Sequence, residues 1–277
     1  MIERTLPCGE RVPALGQGTW NIGDDPAARA SEIAALRRGL DLGLTLVDTA
    51  EMYGDGRSEQ LVGEAIQGRR DQVFLVSKVY PHNASKHKMQ ASCNESLRRL
   101  RVEAIDLYLL HWPGAVPLAE TVAAFEDLQR QGKIRHWGVS NLDLHHMESL
   151  QAVAGGAAVQ VNQLLYNLGR RGIEWDLLPW LRRKHVPVMA YSPIEQGRLL
   201  RKPALGAFAK RLGLTPAQVA LAWLLAQDGV IAIPKTGRRE RVDENAAALS
   251  QALTPAQLRE LDAIFPAPSG PMPLEML

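Results

Sequence analysis

Residues 73–78 read Val-Phe-Leu-Val-Ser-Lys, and residues 105–111 read Ile-Asp-Leu-Tyr-Leu-Leu-His. Both are short, nearly unbroken apolar runs that stop on a titratable side chain. A half-buried strand alternates apolar and polar residues, whereas a parallel strand covered on both faces stays apolar. These two stretches follow the second pattern. Six more runs share it: ALGQGT at 14–19, LTLVD at 44–48, IRHWGVS at 134–140, AAVQVNQ at 157–163, VPVMAYS at 186–192 and VIAIP at 230–234.

Between the runs lie helical patterns. Pro26 to Gly39 follows Asp24 and Asp25; Leu61, Val62, Ala65 and Ile66 follow Ser58, read as a cap; Thr121 to Gln131 precedes Gly132. Pro near a start and Gly past an end is the expected asymmetry. Thr215-Pro-Ala-Gln218 and Thr254-Pro-Ala-Gln257 look like a repeat, but each reads as a capping box with Pro at the first helical position. Eight strand and helix units in 277 residues predict a single-domain α/β chain, a (β/α)₈ TIM barrel over residues 1–277. The competing doubly wound sheet places a Gly-rich phosphate turn after its first strand. Here Gly16-Gln-Gly18-Thr-Trp-Asn21 lacks the third glycine. Residues 2–13, around Gly9, read as an N-terminal hairpin closing the barrel bottom, and the Pro-rich C-terminal tail from Pro266 as an extended lid.

The totals exclude several classes. Basic residues number 32 and acidic residues 30, which leaves no broad field to attract nucleic acid or a membrane surface. Cys8 and Cys93 are too few for a disulfide framework, so a reducing cytoplasmic setting is expected. The start Met-Ile-Glu-Arg-Thr-Leu lacks the pattern of a signal peptide, and no run is long enough to span a membrane. No zinc-binding spacing or P-loop occurs, so no metal is expected.

Asp48, Lys78 and His111 close three successive runs, and Tyr53 follows in the loop after Asp48. Singly, each has an ordinary reading as a helix cap, a solvated tip or an edge residue. Barrel catalysts, however, gather at the C-terminal strand ends. A tyrosine titrates near 10, and a neighbouring ammonium favours its anion. Lys78 is therefore expected to pull the Tyr53 pKa down, with Asp48 as the counter-ion that a buried ammonium needs. His111 would orient a substrate carbonyl and Tyr53 would protonate its oxygen. None of the four supplies hydride, so a reduced nicotinamide is implied.

The motifs LVDTAEMYG, VSKVYP, LLHWPG, WGVSN, VNQ, AYSP and IPKTGRRERVDEN, in that order from Gly16 to Asn245, resemble the aldo-keto reductases. The resemblance implies an NADPH/NADP+-dependent reductase of aldehydes and ketones with Tyr53 as general acid. It implies that Ser140, Asn141 and Gln163 hold the nicotinamide carboxamide and that Tyr191, followed by Ser192, stacks on the ring. Lys235, Thr236, Arg241, Glu244 and Asn245 match the adenosine-end pattern, and Lys235 and Arg241 would grip a 2′-phosphate. Without it, Ser140 and Asn141 read equally well as helix caps, Tyr191 as core and the basic loop as a solvated charge run.

Trp20 and Trp112 are expected to line the substrate mouth. Trp175, Trp180 and Trp223 are expected in the core, and Met272 and Leu274 of the tail are candidates to set specificity. The loop after His111 is short, and residues 164–174 read LLYNLGRRGIE, which resembles bacterial members that reduce methylglyoxal and other small aldehydes. A diketogluconate-type sugar ketone is the alternative substrate. The same tetrad also occurs in nucleotide-sensing channel subunits, a non-enzymatic alternative. Family members are often monomers, and that is the expected state.

Overall fold

The computed structural model describes residues 2–277. A hairpin comes first, strand β1 (Glu3–Thr5) antiparallel to β2 (Arg11–Pro13). Eight parallel strands follow: β3 (Gln17–Gly18), β4 (Leu46–Asp48), β5 (Phe74–Val79), β6 (Ile105–Leu110), β7 (Ile134–Ser140), β8 (Asn162–Leu165), β9 (Val188–Tyr191) and β10 (Val230–Ala232). They neighbour one another in sequence order, as expected when each crossover is a helix returning the chain to the bottom of the next strand. The seam between first and last strand is shut by Ala232 N donating to Ala14 O at 2.8 Å, Gly16 N to Ala232 O at 2.8 Å and Gly18 N to Pro234 O at 3.0 Å. The sheet is a closed barrel.

The two glycines of the first strand are explained by that seam. A Cβ on Gly18 would lie 2.8 Å from Ile233 O, and one on Gly16 would lie 2.7 Å from Leu46 Cδ2. Close packing of sheet and seam, not a phosphate, requires them.

Among the described residues ten α-helices surround the barrel: α1 (Arg29–Asp41), α2 (Arg57–Ala65), α3 (Lys86–Leu100), α4 (Leu118–Arg130), α5 (Leu144–Ala152), α6 (Leu177–Arg183), α7 (Pro203–Arg211), α8 (Pro216–Leu225), α9 (Arg239–Ala247) and α10 (Pro255–Ile264). Both capping boxes form, each threonine accepting from the N3 amide while the N3 glutamine closes back on the threonine amide. Ser58 is not the cap read from sequence. It lies inside α2, buried, and its hydroxyl donates to Thr19 O at 3.0 Å. None of these helices is long and apolar enough to cross a membrane.

Side chains along a strand alternate between faces, and two apolar clusters result. The inner one holds Leu46, Phe74, Val76, Leu107, Leu109, Val161, Met189, Ile231 and Ile233. Leu6 and Val12 of the hairpin region join it, which plugs the bottom as the sequence suggested. The outer cluster joins strand residues such as Val47, Leu75 and Tyr108 to the helices. Inner-face parity then dictates what stands at the top. Asp48 follows Leu46 by two residues, Lys78 follows Val76, His111 follows Leu109, Gln163 follows Val161 and Tyr191 follows Met189.

Two tryptophan expectations hold and one does not. Trp180 and Trp223 are buried, but Trp175 is 48% exposed. It sits between a 3₁₀ turn, Gly172–Glu174, and the start of α6. The 3.6-residue period used to place it inside therefore does not run through it.

Candidate active site

Lys78 is fully buried, and its ammonium has three N–H donors. All three are used. Nζ donates to Asp48 Oδ2 at 2.8 Å, to Thr49 O at 2.9 Å and to Tyr53 Oη at 3.0 Å. The other Asp48 oxygen accepts from Gln163 Nε2 at 2.7 Å. Four of the sequence-selected residues thus form one chain, and the Thr49 carbonyl, a backbone group with no sequence signature, completes it.

Tyr53 reaches Lys78 through a tight turn in which Gly54 and Asp55 both take left-handed backbone angles, φ 57° and 50°. Glycine relieves that strain at one of the two positions. The Tyr53 ring stands edge-on to His111, centroids 5.8 Å apart. His111 packs in turn on Trp112 at 4.8 Å, while Trp20 is 43% exposed at the rim.

Burial sets the protonation states. Desolvation raises the Tyr53 pKa above its ordinary value of 10.0; the Lys78 charge opposes the rise, the Asp48 charge adds to it, and the net direction is up. The expectation of a depressed Tyr53 pKa is therefore corrected, because a partly buried phenol loses more solvation than one ammonium restores. For Lys78, burial alone would lower the pKa, but Asp48 and Tyr53 outweigh it and the net shift is upward. Desolvation first, and Lys78 second, push His111 down to about 2. Its Nδ1 is enclosed without a hydrogen-bond partner, so Nε2 is the nitrogen left to meet a bound molecule.

Beside the quartet, Ser140 Oγ donates to Gln163 O at 2.9 Å. Asn141, at φ 59°, donates through Nδ2 to His111 O at 3.1 Å and accepts from Tyr191 Oη at 3.0 Å. Ser192 adopts a left-handed φ of 48° at the exit of β9. Lys235 and Arg241 are exposed, with no ion pair among the described residues, whereas Glu244 is half-buried and Asn245 is buried at the base of α9. Thr236 Oγ1 accepts from Arg238 N just before α9 at 3.2 Å. The structure therefore gathers Ser140, Asn141, Gln163 and Tyr191 against the quartet. The basic loop stands apart, at the barrel seam beside Gly18.

The sequence reading missed a second polar cluster. Asn167 Nδ2 donates to Glu195 Oε2 at 2.8 Å, and Arg170 pairs with both Glu195 and Glu275. Residues 266–277 cross the surface without helix or strand, Met272 rests on Gly172 with its Cβ 3.5 Å from where a Gly172 Cβ would stand, and the Leu277 backbone lies by the Tyr191 hydroxyl. The tail also walls a cavity of about 340 Å³ with Asp143, His145 and Ile173, away from the quartet. Glu275 carried no motif, so only the fold reveals the anchorage.

An unfolded His111 titrates near 6.5, whereas the folded one stays neutral to about 2. As pH falls below 6.5 the unfolded chain takes up a proton that the native chain refuses, so the His111 contribution to stability is fully present above 6.5 and is lost progressively toward 2. Its slope is at most about 1.4 kcal/mol per pH unit. Urea denaturation between pH 7 and pH 5 is expected to show a shallower acid loss in His111→Gln than in the wild type; equal slopes would contradict the neutral assignment.

The model of the aldo/keto reductase family matches residues 14–265. The methylglyoxal reductase YeaE of Escherichia coli strain K12 is 52% identical over 96% of this chain and 95% of its own length. The glyoxal reductase of Bacillus subtilis strain 168 is 33% identical over 97% of this chain and 95% of its own. A Klebsiella pneumoniae aldo/keto reductase, solved with NADP and acetate, superposes with a TM-score of 0.97 at 48% identity over the whole of both chains. On these matches the chain belongs to the aldo/keto reductase family of oxidoreductases.

Proposed function

We propose that this chain reduces small aldehydes, methylglyoxal among them, to alcohols with NADPH, and that Tyr53 delivers the proton. The observation that carries the reading is the fully satisfied Lys78 ammonium, 3.0 Å from the Tyr53 hydroxyl. The E. coli relative reduces methylglyoxal by its name and the Klebsiella relative holds NADP, and both likenesses run along nearly the entire chain.

The donor set fits the cofactor at both ends. Near the quartet, Asn141 and Gln163 offer carboxamides and Tyr191 a partly open ring, suited to the nicotinamide and its amide. At the other end, exposed Lys235 and Arg241 and the N-terminus of α9 converge, a combination that favours phosphate. Thr236, Glu244 and Asn245 frame that end, and Ser192 shapes the loop between the two. Bound reduced nicotinamide supplies the hydride.

The protein's part is to handle the carbonyl oxygen. His111 is neutral and donates from Nε2 to that oxygen, which orients it toward Tyr53. Negative charge developing on that oxygen during reduction would be met by the Tyr53 proton. The raised Tyr53 pKa keeps that proton in place until then. Tyrosinate forms next to the Lys78 ammonium, and that charge stabilises it. Asp48 holds Lys78, and Gln163 holds Asp48, so the ammonium does not drift. Trp20 and Trp112 border the opening, and the shortness of the loop after His111 suits a small substrate. A single chain contains every group named, in keeping with a monomer.

NADPH oxidation with methylglyoxal tests the roles. Tyr53→Phe is expected to lower kcat by about 10²- to 10⁴-fold while NADPH still quenches protein fluorescence at the wild-type Kd. Wild-type chain that binds NADPH yet turns over neither methylglyoxal, other small aldehydes nor a diketo sugar acid would instead support a nucleotide sensor. Arg241→Ala is expected to weaken NADPH about tenfold or more, near the 1.4 kcal/mol that one lost charge-assisted contact represents, and to leave NADH unchanged. An unaltered NADPH to NADH affinity ratio removes Arg241 from the 2′-phosphate site.

A further inference from the structure

We propose that the bottom of the barrel, opposite the reaction, carries a binding site for a borderline-soft divalent metal such as Zn²⁺, formed by Cys8, Glu10 and His136. Among the described residues this is the one cluster whose thiol, carboxylate and imidazole ligand atoms all lie within 4.8 Å of one another.

The placement follows from the fold. Cys8 and Glu10 flank Gly9 in the turn of the N-terminal hairpin, and His136 lies near the start of β7. The turn is fixed by Leu6 N donating to Glu10 O and Gly9 N to Leu6 O, both at 2.8 Å. Cys8 N donates to Gln160 Oε1 at 2.9 Å, which ties the turn to the barrel.

The geometry discriminates between two uses of such a trio. A nucleophilic thiol relay needs its carboxylate on the imidazole nitrogen remote from the sulfur, so that the ring passes a proton between them. Here both groups approach the same atom: Cys8 Sγ lies 3.8 Å and Glu10 Oε2 2.7 Å from His136 Nε2. Convergence of three donors on one point is what a metal requires. Tetrahedral zinc with bonds of about 2.3 Å to sulfur and 2.0 Å to nitrogen or oxygen separates sulfur from nitrogen by about 3.5 Å and nitrogen from oxygen by about 3.3 Å. Reaching that arrangement parts His136 Nε2 and Glu10 Oε2 by about 0.6 Å and brings Cys8 Sγ about 0.3 Å closer to Nε2, movements that rotation of the exposed Cys8 and the half-buried Glu10 side chains supplies.

The surroundings are prepared as well. Arg135 donates to both Glu10 oxygens at 3.0 Å and to Asp106 Oδ1 at 2.9 Å. It can keep Oε1 while Oε2 turns to the metal, the kind of supporting contact that orients a ligating carboxylate. On binding, the Cys8 thiol gives up its proton to solvent and the imidazole carries its own on Nδ1. Cys8 is exposed, leaving an entry path and a fourth position for water. The bound ion would fasten the hairpin to β7.

Tag-free, chelator-stripped full-length chain is titrated with Zn²⁺ against a chromophoric chelator and, separately, with Co²⁺. Expected are one equivalent bound, a Tm that rises with Zn²⁺, and a near-ultraviolet sulfur-to-cobalt charge-transfer band. Cys93 is buried, its thiol pKa pushed up to about 12, so that band reports Cys8. Cys8→Ser and His136→Gln should each weaken Zn²⁺ by about 100-fold or more, beyond the loss of a mere supporting contact, with metal-free Tm values near the wild type. Absence of the charge-transfer band, or Zn²⁺ affinity equal in wild type and Cys8→Ser, overturns the proposal.

Discussion

A lysine ammonium without a single exposed atom is the constraint around which the top of this barrel is arranged. Removing such a charge from water costs several kcal/mol even after relaxation, and Lys78 recovers that only by satisfying every N–H. Its acceptors come from different places: a carboxylate ending β4, the next backbone carbonyl, and a phenol brought back by a strained turn. Asp48 is in turn gripped by Gln163 from β8, across the barrel rather than alongside. Such a contact exists only if the sheet closes, so the seam at Gly16 and Gly18 and the placement of the ammonium depend on one another.

Chemistry follows from the same constraint. The desolvation that makes Lys78 need Asp48 also holds the Tyr53 proton on and keeps His111 uncharged. One acid, one neutral donor and one fixed cation then face the same opening. Reversing any of those protonation states would require water that the packing of Trp112 on His111 and the inner apolar cluster keep away.

Much of this was legible in the chain. Eight apolar runs gave eight strands, and period-two parity within them put Asp48, Lys78, His111, Gln163 and Tyr191 on one face. The capping boxes were read from four residues each. What escaped was whatever depends on burial or on contacts distant in sequence. The direction of the Tyr53 shift turns on how much solvent the phenol loses, which no motif encodes. Ser58 was misread because a left-handed Gly56 starts α2 two residues early, and Trp175 because a 3₁₀ turn breaks the helical period. The anchorage of the tail by Arg170 and Glu275 joins residues from opposite parts of the chain. Likewise the trio at the bottom mixes a turn with a strand, so no spacing rule finds it.

Burial raises the Tyr53 pKa, and Lys78 alone works strongly against it. Replacing Tyr53 by a fluorotyrosine brings its ionisation into an accessible range, where ¹⁹F NMR follows it in cofactor-free protein with and without Lys78→Met. The expected result is a pKa above that of the free fluorotyrosine in the parent chain and a further rise when Lys78 is lost. A pKa below the free value, or one that Lys78→Met leaves unmoved, would overturn this balance of burial and charge.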